Sequence, residues 1–407
     1  MQVDDFTTRE QKLFTDYEAL INRPNRPTEQ FNGVVQRHVD PVLTADHAPP
    51  FWRYDLDPQS NPMLLERLGV NSVFNVGAIE FEGKISLVAR VEGLDRKSFL
   101  AIADSANGID GFRFRDYPVQ MPESDESETN VYDMRLVRHE DGWIYGLFCA
   151  ERHDERAPHD PSAAIARCGI ARTKDLQSWE RLPNLKAPAA QHRNYVLHPE
   201  FIQGSYAFYT RPMSDFKATG TGSGIGWGLC HDIEQAVIIE ETLIDPVRYH
   251  TIKEGKNGLG PAPLKTQQGW LQLAHGVWHN ADGLRYVLYL FLTDLQEPWK
   301  VIGRPSGYFM APQGAERVGD VSDVLFANGW VMRKDGEVLI YYGSSDTRTH
   351  VARSHIDRLL DYVVNTPEDG YRHYQCTKLR CELIEKNLRF MEKSARYKAR
   401  IYNIGKP

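Results

Sequence analysis

Short apolar and alternating runs, each bounded by a turn signal, dominate the chain from about Val73 to Tyr342. The clearest runs occupy residues 78–81, 85–90, 143–148, 206–210, 269–273, 285–292 and 337–342. Glu-Gly, Asp-Gly or Gln-Gly pairs precede several of them, which is typical of hairpins. These units recur about every 50 to 65 residues, near the upper end of propeller-blade periods. The pattern predicts an all-β fold, a five-bladed β-propeller, with a two-sheet sandwich as the competing architecture.

Helical patterns flank this β-rich region. Residues 7–21 carry a capping box, Thr7 and Glu10, and an apolar stripe that ends at Ile21. We expect this helix to pack on its own domain or, as a second choice, on a neighbouring subunit. Residues 28–70 indicate an extended arm, and helices over 355–364 and 377–396 are predicted to brace the propeller or an oligomer contact. The predicted domains are an N-terminal helix and arm (1–70), a propeller (71–355) and a C-terminal helical extension (356–407).

The composition is that of an ordinary globular protein, with 41% hydrophobic, 25% charged and 11% aromatic residues. The net charge of -7 and the pI near 6.1 argue against nucleic acid or an anionic membrane as a partner, since either needs a basic surface. The five cysteines and fourteen histidines show no metal-ligand spacing, so we expect reduced thiols and no metal site. The N-terminus lacks signal-peptide features and no long apolar window occurs, which favours a cytoplasmic location.

Asp133 is the first candidate for chemistry. It lies between Tyr132 and Met134 in a predicted strand, where desolvation opposes the charge of a carboxylate that has no partner or function. The structural alternative is that Asp133 only pairs with Arg135 or caps a turn.

A group of basic residues follows between positions 191 and 279. Arg193 and Asn194 precede a predicted strand, Arg211 ends one, Lys256 heads a Gly/Pro-rich loop and His275 follows another strand. Each taken alone is more typical of a structural ion pair or hydrogen bond. Together, at strand ends around a propeller axis, they predict a site for a tetrahedral oxyanion, phosphate or sulfate.

The glycine-rich segment at residues 220–226 does not alter that prediction. It lacks the GK[ST] ending and the strand-to-helix context of a nucleotide-binding loop. A flexible turn that lines the site is the more plausible interpretation.

An ordered set of motifs resembles glycoside hydrolase family 130, the β-mannoside phosphorylases and their relatives. The motifs are Tyr132-Asp-Met-Arg135, Arg193-Asn194, His198-Pro-Glu200, Thr210-Arg-Pro212, Lys256-Asn-Gly-Leu-Gly-Pro-Ala-Pro263, Gly269-Trp-Leu271, His275-Gly-Val277, Asp294-x-x-x-Pro298, Gly319-Asp-Val321 and Tyr341-Tyr-Gly-x-x-Asp346. The resemblance covers residues 70 to 355. The extra N-terminal helix and residues 222–228 make the chain most similar to members that act on mannosyl-β-1,4-glucose.

The resemblance implies a role for each matching residue. Asp133 would be the general acid, acting through the 3-hydroxyl of the mannosyl unit. The phosphate cradle would comprise Arg193, Arg211, Lys256 and His275, with Tyr286 touching the phosphate. The mannosyl unit would be held by Arg90 and Asp346, and Asn194 and Tyr132 are further candidates for substrate contact. Tyr132 and Trp227 could stack on sugar faces, although blade core is the default interpretation of both. Met134 stands where the family usually has proline, which affects a neighbour of the acid and not the acid itself.

Inverting transfer needs an acid for the leaving oxygen and a nucleophile on the opposite face of the sugar. Phosphate is already an anion and needs a cationic pocket in place of a catalytic base. One carboxylate with a basic cluster therefore favours phosphorolysis, giving α-mannose 1-phosphate and glucose reversibly, with phosphate as co-substrate and no cofactor.

Several alternatives stay open. The alternative acceptors are a mannan oligosaccharide and an N-acetylglucosamine-containing glycan. The alternative functions are an inverting hydrolase and a non-catalytic sugar-binding propeller. A homo-oligomer, hexamer or dimer, is the preferred assembly.

Overall fold

The computed structural model describes residues 3–122, 124, 127–213, 222–281, 283–394 and 397. The N-terminal part forms helix α1 (Val3–Ile21), strands β1 (Pro27–Phe31) and β2 (Gln36–His38), a 3₁₀ turn (Ala45–His47) and helix α2 (Pro50–Arg53). Helix α1 begins four residues earlier than predicted, so Thr7 lies inside the helix and is not its N-cap.

Five antiparallel sheets follow around an axis, which confirms the predicted propeller. Blade I contains β3 (Val70–Phe81), β4 (Lys84–Gly93), β5 (Ser98–Ser105) and β6 (Arg113–Phe114). Blade II contains β7 (Asn130–Arg138), β8 (Ile144–His153), β9 (Ala164–Thr173) and β10 (Glu180–Leu185). Next, β11 (Gln191–His192) pairs with β14 (Pro212–Met213) in a separate two-stranded sheet, and blade III contains β12 (Val196–Leu197), β13 (Tyr206–Thr210), β15 (Gly224–Cys230) and β16 (Thr242–Pro246).

The remaining blades lead into the C-terminal helices. Blade IV contains β17 (Lys256–Leu259), β18 (Leu264–Lys265), β19 (Trp270–Asn280), β20 (Gly283–Thr293) and β21 (Val301–Gly303). After a 3₁₀ turn (Gly314–Arg317), blade V contains β22 (Leu325–Met332), β23 (Glu337–Ser344) and β24 (Arg348–His355), and helices α3 (Ile356–Asn365) and α4 (His373–Lys393) follow.

The N-terminal segment closes the ring. In blade V the strand order is β1-β2-β24-β23-β22, so β2 pairs with β24 next to the end of the propeller sequence. The segment predicted as an extended arm therefore supplies two strands of the last blade. Apolar clusters fill each of the five junctions between neighbouring blades; for example, Val351 of blade V packs with Leu87 of blade I.

The predicted turns explain where the hairpins form. Glu82 and Gly83 both have positive φ, +50° and +76°, and join Phe81 to Lys84, which pair directly. Two consecutive residues at positive φ match the twist of a two-residue hairpin. The polar-glycine pairs in the sequence are therefore turns, as predicted.

The helices at the two ends have different surroundings. In α1, Phe6 and Ile21 are buried and Arg9 donates to the carbonyl of Met63 at 2.8 Å, so this helix packs on its own chain as expected. Helix α3 buries Leu359, among others, in the cluster between blades IV and V and braces the propeller. No residue of α4 is buried, and the end of its predicted span, residues 395 and 396, lies outside the described residues.

Candidate active site

All five blades contribute to one cavity of about 230 Å³ at the propeller axis. Its lining contains nine of the predicted site residues, namely Arg90, Tyr132, Asp133, Arg193, Asn194, Arg211, Lys256, Tyr286 and Asp346. Asn75, Cys149, Leu284, Val321, Val324 and Phe326 complete the lining. Residues separated by more than 250 positions thus meet at one site because each blade begins beside the axis.

Asp133 projects into this cavity from a β-bulge. Tyr132 pairs with Cys149 and Arg135 pairs with Leu147, so β7 has one extra residue at this point. Asp133 occupies the extra position with φ of +60°, a region that non-glycine residues seldom adopt. A bulge re-aims the side chain, and here it turns the carboxylate toward the axis, where 8% of the residue stays exposed.

The close approach of blades I and II leaves little room beside this bulge. A Cβ at Gly77 would lie 2.5 Å from the carbonyl oxygen of Met134, so only glycine fits there. Met134 itself is fully buried and packs with Val88 in the junction between the two blades. The residue that departs from the family pattern therefore belongs to the core and does not face the cavity.

Two residues of blade I hold the Asp133 carboxylate. Asn75 Nδ2 donates to Asp133 Oδ1 at 3.1 Å, and Arg90 Nη1 lies 3.5 Å from the same oxygen. The sequence also allowed a purely structural ion pair between Asp133 and Arg135. Arg135 instead donates to the backbone carbonyl of Asp133 at 3.0 Å. The carboxylate thus remains available on its cavity side.

Arg90 is fixed in position by its other contacts. Its Nη2 pairs with Glu92 Oε2 at 2.5 Å and its Nε donates to Ser98 Oγ at 3.0 Å. The guanidinium carbon lies 4.6 Å from the Phe74 ring centroid and 4.4 Å from that of Tyr132. Such a planar, stacked cation is rigid enough to orient a sugar hydroxyl.

Asp346 is the second carboxylate of the cavity. It follows β23 with φ of +49°, next to Ser345, which has the same φ. Burial, and then the charge of Asp133, raise the pKa of Asp346 to about 7, although the nearby Arg90 acts to lower it. Near neutral pH this group both accepts and donates hydrogen bonds, which suits contact with sugar hydroxyls.

Arg193, Arg211 and Lys256 form a cationic wall in the same cavity. Burial, and then the charges of Arg211 and Arg193, lower the pKa of Lys256 to about 8. Burial also lowers the pKa of Arg211 to about 10. Among the described residues, no carboxylate forms an ion pair with Arg211 or Lys256. Because Arg211 and Lys256 repel each other and have no acidic partner within the described residues, the wall favours an added anion.

Glu151 links the wall to the other side of the cavity. Arg193 Nη2 lies 3.0 Å from Glu151 Oε1, and the Tyr132 hydroxyl donates to the same oxygen. Glu151 therefore orients one phosphate-site candidate and one sugar-site candidate together.

His275 lies behind the wall and does not line the cavity. It is in the middle of β19 and not after a strand, because β19 continues through Gly276 to Asn280. A Cβ at Gly258 would lie 2.8 Å from His275 Cε1 and 3.0 Å from Arg211 Cδ, so both side chains pack against this glycine. Burial, followed by the charges of Arg211, Arg135 and Lys256, lowers the pKa of His275 well below its ordinary value.

Lys256 begins β17 instead of heading a loop, and a buried network anchors the residue after it. Asn257 Nδ2 donates to the carbonyl of Asp245 at 3.0 Å. The Asp245 carboxylate accepts from the Tyr289 hydroxyl at 2.7 Å, pairs with Lys253, and lies 3.2 Å from Arg304 Nε. The start of β17, and with it Lys256, is therefore tied to blade III.

Asn194 and Arg135 connect the blades beneath the cavity. Asn194 has φ of +58°, and its Oδ1 accepts from Arg135 Nη2 at 3.0 Å. Arg135 Nε also donates to the carbonyl of Gly260 at 2.8 Å. One buried arginine thus joins blades II, III and IV.

Two neighbouring segments lie away from the axial cavity: Trp227 belongs to the blade core, its default interpretation, and the glycine-rich turn expected to line the site does not do so in its described part. Trp227 lies in β15, packs on Tyr209 with a 4.9 Å centroid separation, and lines a separate open groove on blade III with Trp299. Residues 224–226 begin that strand and are absent from the axial cavity lining, while 220 and 221 lie outside the described residues.

Sequence reasoning missed Asn75 and Phe326, among others. One signal for Asn75 exists: an asparagine and then a glycine, Gly77, interrupt the apolar run of β3, which is typical of a bulge. No comparable signal marks Phe326. Within the described part of the chain, no group of three or more His, Cys, Asp or Glu side chains has the geometry to hold a metal ion.

The arrangement places an anchored carboxylate, Asp133, a second carboxylate, Asp346, and a cationic wall on one cavity. This layout suits an enzyme that transfers a glycosyl unit to an anion. A family model described as β-1,4-mannooligosaccharide phosphorylase matches residues 61–365. The chain therefore belongs to glycoside hydrolase family 130, and it is a glycoside phosphorylase of that family.

Named relatives agree with this assignment. The chain is 58% identical over 388 residues to a 4-O-β-D-mannosyl-D-glucose phosphorylase of Bacteroides fragilis, covering 95% of this chain and 99% of that protein. It is 31% identical over 337 residues to a β-1,4-mannooligosaccharide phosphorylase of Ruminococcus albus, covering 78% and 92%. The fold matches a β-1,2-mannobiose phosphorylase of Listeria innocua with a TM-score of 0.63 at 21% identity, covering 84% and 99%.

Proposed function

We propose that this protein phosphorolyses 4-O-β-D-mannosyl-D-glucose, reversibly, to α-D-mannose 1-phosphate and D-glucose. The observation that carries the proposal is the single cavity in which Asp133, held by Asn75 and Arg90, shares space with Arg193, Arg211 and Lys256. The 58% identity to the Bacteroides fragilis enzyme supports the choice of substrate.

In this proposal a phosphate oxygen attacks C1 of the mannosyl unit from the face opposite the glucose. The C1–O4 bond breaks, and the proton of Asp133 reaches the glucose O4 through the mannosyl 3-hydroxyl. Arg193, Arg211 and Lys256 hold phosphate in line, Tyr286 contacts it, and His275 supports the wall from behind. The cations and the proton together offset the charge that develops on the two oxygens.

The mannosyl unit lies between the acid and blade V. Arg90 and Asp346 bind its hydroxyls, with Asn194 and Tyr132 as further contacts. Inorganic phosphate is a co-substrate and no cofactor takes part. Asp346 is the feature that keeps an inverting hydrolase as the second candidate, since it is a second carboxylate in the cavity.

A product assay separates the candidates. The purified chain is incubated with mannosyl-β-1,4-glucose with and without phosphate. Mannose 1-phosphate that appears only with phosphate supports the proposal, free mannose supports the hydrolase, and no product with retained binding supports a sugar-binding propeller. Mannooligosaccharides and mannosyl-N-acetylglucosamine tested in parallel identify the acceptor.

The proposed setting is the cytoplasm, and the proposed assembly is a homo-oligomer, a hexamer or a dimer. All five cysteines are free thiols, which supports a reducing compartment. Of the helices in the described ranges, none combines the length and apolar character needed to cross a bilayer.

A further inference from the structure

The axial cavity encloses only part of the ligands that the proposed reaction brings together. Its volume is about 230 Å³, whereas a pocket that buries a whole drug-sized ligand has about 300–1,000 Å³. The cationic wall accounts for phosphate, and Arg90, Asp133 and Asp346 account for the mannosyl unit. The glucose unit, which is the acceptor in the synthetic direction, therefore lies at the open end of the cavity, its mouth.

Val321 lies at the mouth, and the residue before it is an exposed carboxylate, Asp320. Val321 lines the cavity and is 42% exposed, so it borders both the cavity and the solvent. Burial is the main cause of the raised pKa of Asp346, and the charges of Asp133, Glu92 and Asp320 add to it. Asp320 is therefore close enough to the sugar-binding candidates to act on their charge.

The backbone around Asp320 is held by the loop that follows β23. A Cβ at Gly319 would lie 2.3 Å from Thr347 Oγ1, so the two segments pack directly on each other. The Asp320 amide donates to the same hydroxyl oxygen at 3.0 Å, and the Val321 amide donates to the carbonyl of Ser345 at 3.1 Å. These contacts place Asp320 beside the loop that contains Asp346.

One oxygen of the Asp320 carboxylate is oriented by blade I. Asn71 Nδ2 donates to Asp320 Oδ2 at 2.5 Å and so joins blade I to blade V at the mouth. Among the described residues, no side chain donates to Oδ1 and no lysine or arginine pairs with Asp320. An ionised carboxylate accepts hydrogen bonds at both oxygens. Oδ1 is therefore available to the hydroxyl groups of a sugar.

Charge is distributed unevenly between the two sides of the cavity. The phosphate side contains the three cations of the wall with Glu151. The sugar side contains, within the described ranges, four carboxylates and one cation, namely Asp133, Asp346, Glu92, Asp320 and Arg90. Like charges placed together disfavour the wrong partner. This distribution favours an anion at the wall and an uncharged sugar at the mouth.

We propose that Asp320 binds hydroxyl groups of the acceptor and, with the other carboxylates of the sugar side, restricts the acceptor to uncharged sugars. The inference rests on the proposed function, because it concerns the glucose unit of that reaction. Asp320 determines specificity and takes no part in the proton transfer. The phosphate group of mannose 1-phosphate binds at the wall, so the exclusion of anions at the mouth does not apply to it.

The test uses the full chain in the synthetic direction, with mannose 1-phosphate as donor and glucose as acceptor. Asp320→Asn keeps the size of the side chain and an oxygen for Asn71, but removes the charge. We expect the KM for glucose to rise about 10-fold, since a charge-assisted hydrogen bond is weakened. The KM for mannose 1-phosphate should change by less than about two-fold.

Asp335→Asn is the matched control. Asp335 is an exposed aspartate in the hairpin between β22 and β23, at the end of blade V opposite to the loop that contains Asp346. We expect this variant to keep the wild-type KM for both substrates, because asparagine before glycine suits the same turn.

A pair of acceptor analogues isolates the effect of charge. Glucuronate and glucuronamide have nearly the same shape and differ in charge at C6, and each is measured as an acceptor or as an inhibitor of glucose. We expect the wild type to prefer glucuronamide by about 10-fold or more. In Asp320→Asn that preference should fall by about three-fold or more. A merely structural role of Asp320 would not change this ratio.

Three results overturn the proposal. They are an unchanged KM for glucose in Asp320→Asn, an unchanged preference for the uncharged analogue, and an equal rise in the KM values for glucose and mannose 1-phosphate. Failure of the proposed function gives a different result, since the wild type would then form no mannosylglucose from mannose 1-phosphate and glucose.

Discussion

Asn75 Nδ2 donates to Asp133 Oδ1 at 3.1 Å, and the two residues occupy matching bulges on neighbouring inner strands. Their φ values are +51° and +60°. Both backbones are held in a region that asparagine and aspartate tolerate better than most residues. The pair shows that the acid is positioned by backbone geometry on two blades as well as by side-chain contacts.

Replacement of the acid tests its proposed role. Asp133→Asn removes the transferable proton but keeps the size of the side chain, so we expect a loss of about 10²- to 10⁴-fold in rate in both directions. Phosphorolysis of mannosylglucose and synthesis from mannose 1-phosphate are both measured. The thermal midpoint serves as the folding control. A variant with more than a tenth of the wild-type rate contradicts the assignment.

Asn75 offers a test that separates side chain from backbone. Asn75→Gly keeps positive φ accessible but removes the hydrogen bond to Asp133, and a bond to a charged group is worth about 1.5–3 kcal/mol, or roughly 10- to 150-fold in kcat. Asn75→Ala removes the same bond and adds backbone strain. We expect similar kcat for both variants and a lower thermal midpoint for alanine. If glycine retains the wild-type kcat, the hydrogen bond does not serve catalysis.

The cationic wall predicts a selective effect on phosphate. Arg211→Ala and Lys256→Ala should each raise the KM for phosphate about 10-fold or more, since a charge-assisted contact is lost. The KM for the disaccharide should change by less than about two-fold. Lys265→Ala is the matched control, because Lys265 is exposed and pairs with Glu200 away from the cavity. Equal changes in both KM values would point to a general structural defect.

The pH dependence of phosphate binding follows from Lys256. Its pKa of about 8 means that the side chain is charged below pH 8 and loses its charge as the pH rises through that value. We expect the KM for phosphate to rise above pH 8. In Lys256→Arg the side chain stays charged, so the rise should move to higher pH. If the wild type and Lys256→Arg have the same pH profile, a group other than Lys256 causes the pH dependence.

The buried network at Asp245 predicts an indirect effect. Tyr289→Phe removes one hydrogen bond to the Asp245 carboxylate, which costs about 1.5–3 kcal/mol when the acceptor is charged. We expect a lower thermal midpoint and a higher KM for phosphate, because Asn257 and the start of β17 lose support. The KM for the disaccharide is the internal control. A lower thermal midpoint with an unchanged KM for phosphate would show that the Asp245 network stabilises the fold but does not position the phosphate site.

Local chemistry made much of this architecture predictable. Glu82-Gly83 and its counterparts identified hairpins because two residues at positive φ require such side chains. Asp133 was recognisable as a candidate because a carboxylate between apolar neighbours is costly. Nine of the predicted site residues meet in one cavity, although their roles in binding and catalysis stay predictions until they are measured.

Other features depend on distant contacts that no local pattern contains. The partnership of Asn75 with Asp133 joins residues 58 positions apart and exists only because two blades are adjacent. The predicted strand ended at Leu273, which put His275 after it, yet pairing with β20 continues β19 through Gly276 to Asn280. The number of strands in the last blade was predicted too low for the same reason. The segments β1 and β2 have the sequence pattern of a loop and form strands because β2 pairs with β24 and β1 pairs with β2.

The pairing of β2 with β24 also constrains the order of assembly during synthesis. Strand β2 is made early, but its partner leaves the ribosome about 300 residues later, so the ring stays open until nearly the whole chain is available. A chain that stops before Arg348 would expose the edges of β2 and β23, and unpaired edges promote aggregation. Closure of the ring therefore requires that each newly made copy extend through β24.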